Sequence, residues 1–403
     1  MKNILVIGGG FAGVWSAAGA VRAVREHAGP TEEVRVTLVS AGDDLVIRPR
    51  LYEADPGAKR VALDRVLGPI GVRRVAATVT GIDTGAREVT ALGRDGETLT
   101  LRYDRLVLAA GSRTARPPFP GAEGVFDVDT MGAAAALDHH VRRLPGHTGA
   151  GQYTAVVIGA GFTGLEVATE LTGRLAEVAP EGAPVRVVLV ERAGELGPEL
   201  GAGPRPYLTE AVRGLGVEER LGSTVERYED GVVRLAGGET IPAATVVWSA
   251  GMAASPLTKL VPGERDRMGR LAVDEFLRVV GVPGVYAAGD TAAAEAGEGH
   301  LVMQSCQHAV PLGKFAGHNV AAGLLDVEEV PFAPAPYVTC LDLGPAGAVL
   351  TAGWDRVVQL TGPEAKEMKQ RINTEWIYPP VDDAEAIIGL ADYRTIWPTD
   401  QVS

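Results

Sequence analysis

The chain opens on Ile4-Leu5-Val6-Ile7-Gly8-Gly9-Gly10-Phe11-Ala12-Gly13, and an alanine-rich stretch follows as far as Arg25. A short apolar run leading straight into glycines predicts a buried strand, a GxGxxG turn and a helix. Gly8 permits the tight turn, Gly10 lets a pyrophosphate approach the backbone, and Gly13 lets helix and strand pack closely, with the anion at the helix N-terminus. A second strand is predicted over 34–39, with Ser40 just beyond it.

The same unit returns later in the chain. Ala155-Val156-Val157-Ile158 leads into Gly159-Ala160-Gly161-Phe162-Thr163-Gly164, and a strand predicted over 185–190 ends at Glu191. Gly8, Gly10 and Gly13 each precede Gly159, Gly161 and Gly164 by 151 residues, and Ser40 precedes Glu191 by the same interval. One such motif is a weak signal, because glycines mark many turns that hold no ligand. Two in the same context and register predict an α/β chain with two Rossmann-like dinucleotide-binding domains. Two dinucleotide sites imply an electron path from one cofactor to another, commonly a nicotinamide and a flavin. Glu191 stands where a carboxylate accepts hydrogen bonds from a ribose 2′-hydroxyl and repels a 2′-phosphate. Ser40 offers one hydroxyl and no charge, which leaves Asp43 or Asp44 to compensate.

Further landmarks divide the 403 residues. The runs 103–112 and 245–251 each read as a buried strand with a small-residue exit, ending in Gly111-Ser112 and Ala250-Gly251. Pro117, Pro118 and Pro120 suit a crossover between domains, and the short alternating runs of 217–241 suggest a β-meander. Gly284 to Asp290 reads as a strand ending in Gly289-Asp290, where a carboxylate can reach a polyol hydroxyl or simply make a turn. A helix is predicted over 305–325, with Pro311 in its early turns or kinking it, and its N-terminus would stabilise negative charge on a reduced ring. The Pro-rich passage 330–336 reads as a linker, followed by a hairpin (337–343 and 348–354) and a helix (364–376) with Ala365, Met368, Ile372 and Trp376 on one face. The expected organisation is a discontinuous first domain (1–115 and 260–325), a second domain (116–259) and a small α+β region (326–403) for interface or dimer packing.

Composition narrows the partners. With 51 acidic against 38 basic residues and a net charge of −13, the chain lacks the basic footprint that nucleic acid requires. No apolar run reaches the roughly 18 residues of a membrane span, and the N-terminal run Ile4–Ile7 is too short for a signal peptide. The helix 364–376 carries equal numbers of acids and bases, so membrane association is not the favoured reading. Two cysteines, Cys306 and Cys340, with no CxxC, fit a reducing cytoplasm. The histidines show no metal spacing, and no metal is expected.

These residues together resemble the two-dinucleotide-binding-domain flavoproteins of the pyridine nucleotide-disulfide oxidoreductase superfamily, most closely the type II NADH dehydrogenases (NADH:quinone oxidoreductases), over 1 to about 320. The resemblance implies FAD at the first unit, held by Gly8, Gly10, Phe11, Ala12, Gly13, Ser40, Arg48, Val79, Ala110, Gly111, Gly289 and Asp290. It implies NADH, in preference to NADPH, at Gly159, Gly161, Gly164, Glu191 and Gly251. Pro49-Arg50-Leu51-Tyr52-Glu53 resembles a segment opening a helix beside the flavin. Glu166 is similar to a glutamate near the nicotinamide, orienting it or the acceptor; the same acid also suits a helix N-terminus. Gln307 and His308 fall where the flavin-facing helix begins. They are expected at cofactor and acceptor, His308 as a proton relay or else as a packed ring. Departures are also present: Ser40 stands where the family has an acid, Leu312 where it has a second glutamine, and the redox cysteine pair of the disulfide reductases is missing. The implied activity is oxidation of NADH through FAD, with a quinone-like small molecule as acceptor. The alternatives are a soluble flavin reductase of a protein carrier or specialised metabolite, and a redox sensor resembling apoptosis-inducing factor.

Overall fold

The computed structural model describes residues 1–29 and 33–395. Its helices are α1 (Phe11–His27), α2 (Leu63–Leu67), α3 (Met131–Arg143), α4 (Phe162–Val178), α5 (Arg205–Gly214), α6 (Cys306–Leu325), α7 (Gly362–Arg371) and α8 (Ala384–Leu390). The first apolar run becomes the strand Lys2–Ile7, central in a seven-stranded sheet. Parallel to it lie Arg105–Leu108 and Val285–Ala287 on one side and Val34–Ser40 and Arg73–Asp83 on the other. The antiparallel strands Glu88–Gly93 and Thr98–Arg102 extend that edge. Strands buried on both faces read as continuous Val/Ile/Leu runs, which is why their sequence signal is strong.

The second unit has a parallel four-stranded sheet in the order Glu218–Leu221, Arg186–Glu191, Thr154–Ile158, Thr245–Trp248. Both units are Rossmann-like, with the glycine turn after the central strand in each. The meander expected over 217–241 is smaller, built from Val225–Glu229, Val232–Leu235 and Thr240–Pro242. Glu218–Leu221 joins the parallel sheet instead, because it pairs with Val188 to Glu191. The chain passes between the units through the antiparallel pair Ser112–Thr114 and Met252–Ala254.

The third unit is a three-stranded antiparallel sheet (Val338–Asp342, Ala348–Ala352, Val357–Thr361) with α7, which runs on into a π-helical turn, Ile372–Trp376. Ala365, Met368 and Ile372 pack on the sheet with Cys340 and Leu350, as the one-face reading anticipates. The wider π turn takes Trp376 off that face and into a cleft. The unit seats on the second domain, where a Cβ on Gly344 would lie 2.7 Å from the Thr169 carbonyl oxygen. Near the other end, Arg22 of α1 pairs with Asp392 at 2.9 Å, and Arg50 Nη1 donates to the Tyr378 hydroxyl at 3.1 Å. No helix among the described residues is long and apolar enough to cross a membrane.

Helices α1 and α6 meet backbone to backbone. A Cβ on Gly317 would lie 2.3 Å from the Ser16 carbonyl oxygen, one on Gly313 2.5 Å from that of Ala12, and one on Gly19 2.9 Å from that of Lys314. Gly317→Val is therefore expected to destabilise the protein by about 3 kcal/mol through overpacking, read as a lowered thermal midpoint. An unchanged midpoint would show that the helices do not approach this closely.

Candidate active site

Sterics set the first turn. Gly8 has φ of +119°, and a Cβ there would lie 2.1 Å from the Ala109 oxygen; one on Gly13 would lie 1.9 Å from the Gly8 oxygen. Neither position admits a side chain, and both glycines lie behind the turn. Gly10 has nothing within 4 Å of an added Cβ and lines the cleft. It caps α1 without a side-chain hydrogen bond, and no acid stands in the first helical turn. The backbone donors of that turn are thus left for an anion. Phe11, Ala12, Ser40, Ala110 and Gly111 line the same wall.

Asp290 comes to this wall from the far end of the chain. Gly289 has φ of +66°, and its added Cβ would lie 2.7 Å from that of Ala12, so the Gly-Asp turn sits on the head of α1. The Ser112 hydroxyl donates to Asp290 Oδ2 at 2.6 Å, and Arg48 Nη1 lies 3.6 Å from the same oxygen. Burial pushes the Asp290 carboxyl up, while Ser112 and Arg48 pull it back. Arg48 also pairs with Asp129 of the second unit. Asp43 is held on the surface by Arg74 and Arg94, whereas Asp44 lines the cleft beside Arg60.

The second turn repeats the design. Gly159 has φ of +102°, and a Cβ on Gly164 would lie 1.8 Å from the Gly159 oxygen. The Ser249 hydroxyl faces the Ile158 and Gly159 carbonyls at 3.0 and 3.1 Å, which fixes the turn to the 245–251 segment, and Gly251 lines the cleft next to it. Glu191 is buried at its strand end, accepting the backbone N–H groups of Ala160 at 2.7 Å and Ala193 at 2.9 Å. Both turns face one continuous cleft of about 1690 Å³, larger than the roughly 300–1,000 Å³ usual for one drug-sized ligand.

Between the turns lies a buried polar cluster that the sequence reading identified only in part. Glu166, 4% exposed, meets Lys369 Nζ at 2.9 Å and accepts the Asp342 backbone N–H at 3.2 Å. Lys369 also donates to the Cys340 carbonyl at 3.0 Å, and Lys366 and the Tyr52 hydroxyl both reach Asp342. Burial pushes the Glu166 carboxyl up to about 7 against the pull of Lys369, and the same pair holds the Lys369 ammonium firmly protonated. A carboxyl able to take up a proton near neutrality thus lies beside a fixed cation. Lys369 escaped the sequence reading because its helix was judged by charge balance. The available signal was spacing: Ala365, Lys369 and Asn373 recur every fourth residue and are all buried.

Two expected residues, Val79 and His308, lie elsewhere, and one expected segment has another form. Val79 is packed in the apolar layer behind the first sheet. His308 is 2% exposed, accepts the Met303 N–H at its Nδ1, stacks on Tyr337 at 5.3 Å, and is pushed down to about 4 by burial. It is a neutral packed ring, not a proton relay, because the Ser305 cap turns it inward. The 49–53 segment opens no α-helix: it is a single 3-10 turn, Arg48–Arg50, with Tyr52 beyond it in the cleft wall. Gln307 does line the cleft and donates to the Pro336 carbonyl at 3.2 Å. Cys306 and Cys340 are free thiols, pushed up to about 11 and 12 by burial. Among the described residues no His, Cys, Asp and Glu group is arranged to hold a metal ion.

Two dinucleotide turns sharing one cleft define a two-site oxidoreductase. Residues 2–313 match the pyridine nucleotide-disulphide oxidoreductase family, and the chain belongs to it. An NADH dehydrogenase-like protein of Mycobacterium tuberculosis is 48% identical over 403 residues, covering 99% of this chain and all of its own. A type II NADH:quinone oxidoreductase of Staphylococcus saprophyticus is 26% identical, covering 94% of this chain and 95% of its own. The solved structure of NDH2 from Plasmodium falciparum in complex with NADH shares the fold, with a TM-score of 0.77 at 12% identity, covering 97% of this chain and 96% of that one. The protein is an enzyme, an oxidoreductase of this family.

The Glu166 carboxyl gives a signed pH prediction. Its folded pKa is raised, so its contribution to stability is full below about 4.5 and lost as pH rises through about 7. Glu166→Gln removes that loss. Between pH 5 and 7.5 the variant should gain on the wild type by about 2–3 kcal/mol in denaturant unfolding. A constant difference across that window would place the Glu166 pKa in the ordinary range.

Proposed function

We propose that the protein holds FAD at the first turn, takes NADH at the second, and passes electrons to a quinone-like small molecule. The observation that carries this reading is the single cleft, lined by Gly10, Asp290 and Gln307, by Gly161 of the second turn, and by Phe315, Ile372 and Trp376. Bound there, a flavin would supply the two-electron chemistry between a nicotinamide donor and a second acceptor. The names of the relatives, NADH dehydrogenase-like and NADH:quinone oxidoreductase, support the donor and the acceptor.

The chain's own residues take distinct tasks. The uncapped head of α1 receives a pyrophosphate, and Asp290, fixed by Ser112, accepts from a polyol hydroxyl. The α6 N-terminus, capped by Ser305, turns its positive end to the cleft and favours negative charge developing there. Glu191 accepts from a ribose diol and repels a 2′-phosphate. Glu166 holds the proton that a reduced acceptor requires on Oε2, since its Oε1 accepts from Lys369 and from the Asp342 backbone N–H. Two free cysteines support a cytoplasmic location.

Purified protein should show flavin absorbance bands and oxidise NADH with a small soluble quinone as acceptor. Absence of a flavin chromophore, even after FAD addition, sinks the reading. Glu191→Ala should reduce the preference for NADH over NADPH by about tenfold, roughly 1.4 kcal/mol, in kcat/KM. Equal efficiency with both coenzymes in the wild type would remove Glu191 from that role.

A further inference from the structure

The two glycine turns differ in one respect that the reading above leaves unused. At the first, nothing stands within 4 Å of a Cβ built on Gly10; at the second, a Cβ on Gly161 would lie 2.6 Å from Glu199 Oε1. The same oxygen accepts the Phe162 backbone N–H at 3.0 Å. Phe162 is the first residue of α4, so a carboxylate of the chain itself sits on the anion position of that helix. Two anions cannot share it.

Glu199 is placed to leave. It is exposed, in the short turn Pro198–Leu200 between Gly197 (φ +54°) and Gly201 (φ +75°). Against this turn stands Arg356, carried by the third unit between the strands Ala348–Ala352 and Val357–Thr361. Arg356 is 7% exposed and lines the cleft, its Nη2 donates to the Glu199 carbonyl at 3.4 Å, and its guanidinium lies over the Tyr337 ring at 4.8 Å. Its Nη1 is buried without a hydrogen-bond partner. A buried cationic donor left unpaired is costly, and an anion in the cleft relieves the cost.

We propose that coenzyme binding at the second turn is an exchange of anions. The pyrophosphate of the nicotinamide dinucleotide replaces the Glu199 carboxylate at the head of α4, Glu199 turns to solvent, and Arg356 Nη1 donates to the incoming group. Arg356 is then a positioning residue supplied by the C-terminal unit, and Glu199 a built-in competitor that selects for ligands carrying a diphosphate. This inference rests on the reading of the second turn as the NADH site.

The test is calorimetric titration of the FAD-loaded protein with NAD⁺, which binds without turnover, and with ADP-ribose, which keeps the pyrophosphate and lacks the nicotinamide. Glu199→Gln should tighten both about two- to fivefold, the range for a charge at a helix N-terminus. Arg356→Gln should weaken both by about tenfold or more. If Arg356→Gln does not fold, Glu199→Gln decides alone. Wild-type binding of NAD⁺ with no change in Glu199→Gln overturns the exchange and leaves the NADH site standing. Shifts for NAD⁺ without shifts for ADP-ribose overturn it as well, since the effect then lies at the nicotinamide end. A wild-type protein that binds neither ligand removes both the site and the exchange.

Discussion

The contact between α1 and α6 is the constraint on which the site depends. Three glycines, Gly19, Gly313 and Gly317, remove the side chains that would hold the helices apart, and each carbonyl they approach belongs to the opposite helix. Glycine in a helix interior costs about 1 kcal/mol relative to alanine, so three such positions are a sizeable local sacrifice. What it secures is registration. α6 begins about 300 residues after α1, yet its N-terminus and the Asp290 turn are brought onto the wall that Gly10 opens. Alanines of both helices pack in the same core alongside larger side chains, Trp15 and Phe315 among them.

Electrostatics ties the units together once that wall exists. The chain is acidic overall, and its cleft collects carboxylates whose burial would be prohibitive without partners. Asp129 and Asp290 share Arg48, Glu166 has Lys369, and Glu191 has two backbone N–H groups. Two of these pairs cross from one unit to another. Arg48 belongs to the first unit and Asp129 to the segment entering the second; Glu166 belongs to the second and Lys369 to the third. Breaking one would loosen a domain contact and expose an unpaired charge together, so these pairs fix the relative placement of the units more stringently than surface ion pairs do.

The features legible in the sequence are those that sterics writes as composition. Gly8, Gly13, Gly159 and Gly164 cannot be anything else, because a carbonyl stands within about 2 Å of where a side chain would start at three of them and Gly159 adopts a left-handed φ. The strand-terminal Glu191 and Asp290 were legible for a related reason, since an acid closing an apolar run has little structural excuse. Lys369 was not, because a buried lysine and a surface lysine look alike until its partner is known, and that partner lies 203 residues away. His308 shows the opposite error: its position beside Gln307 suggested chemistry, but successive residues of a helix point to different faces, and His308 points inward while Gln307 lines the cleft. The π turn after Arg371 was equally hidden, as no proline or glycine marks it.

All three units line the cleft. The two repeated units contribute the backbone turns, the acids and cations such as Arg48 and Arg270. Two further side-chain cations of the cleft, Lys369 and Arg356, come from the third unit. A backbone turn fixes where a dinucleotide lies whatever the rest of the chain does, whereas a cation on an added sheet changes with that sheet. Ile372 and Trp376 of the same added segment also line the cleft. The C-terminal unit therefore reaches the cleft at two places, through Arg356 against the turn that carries Glu199 and through Lys369 beside Glu166.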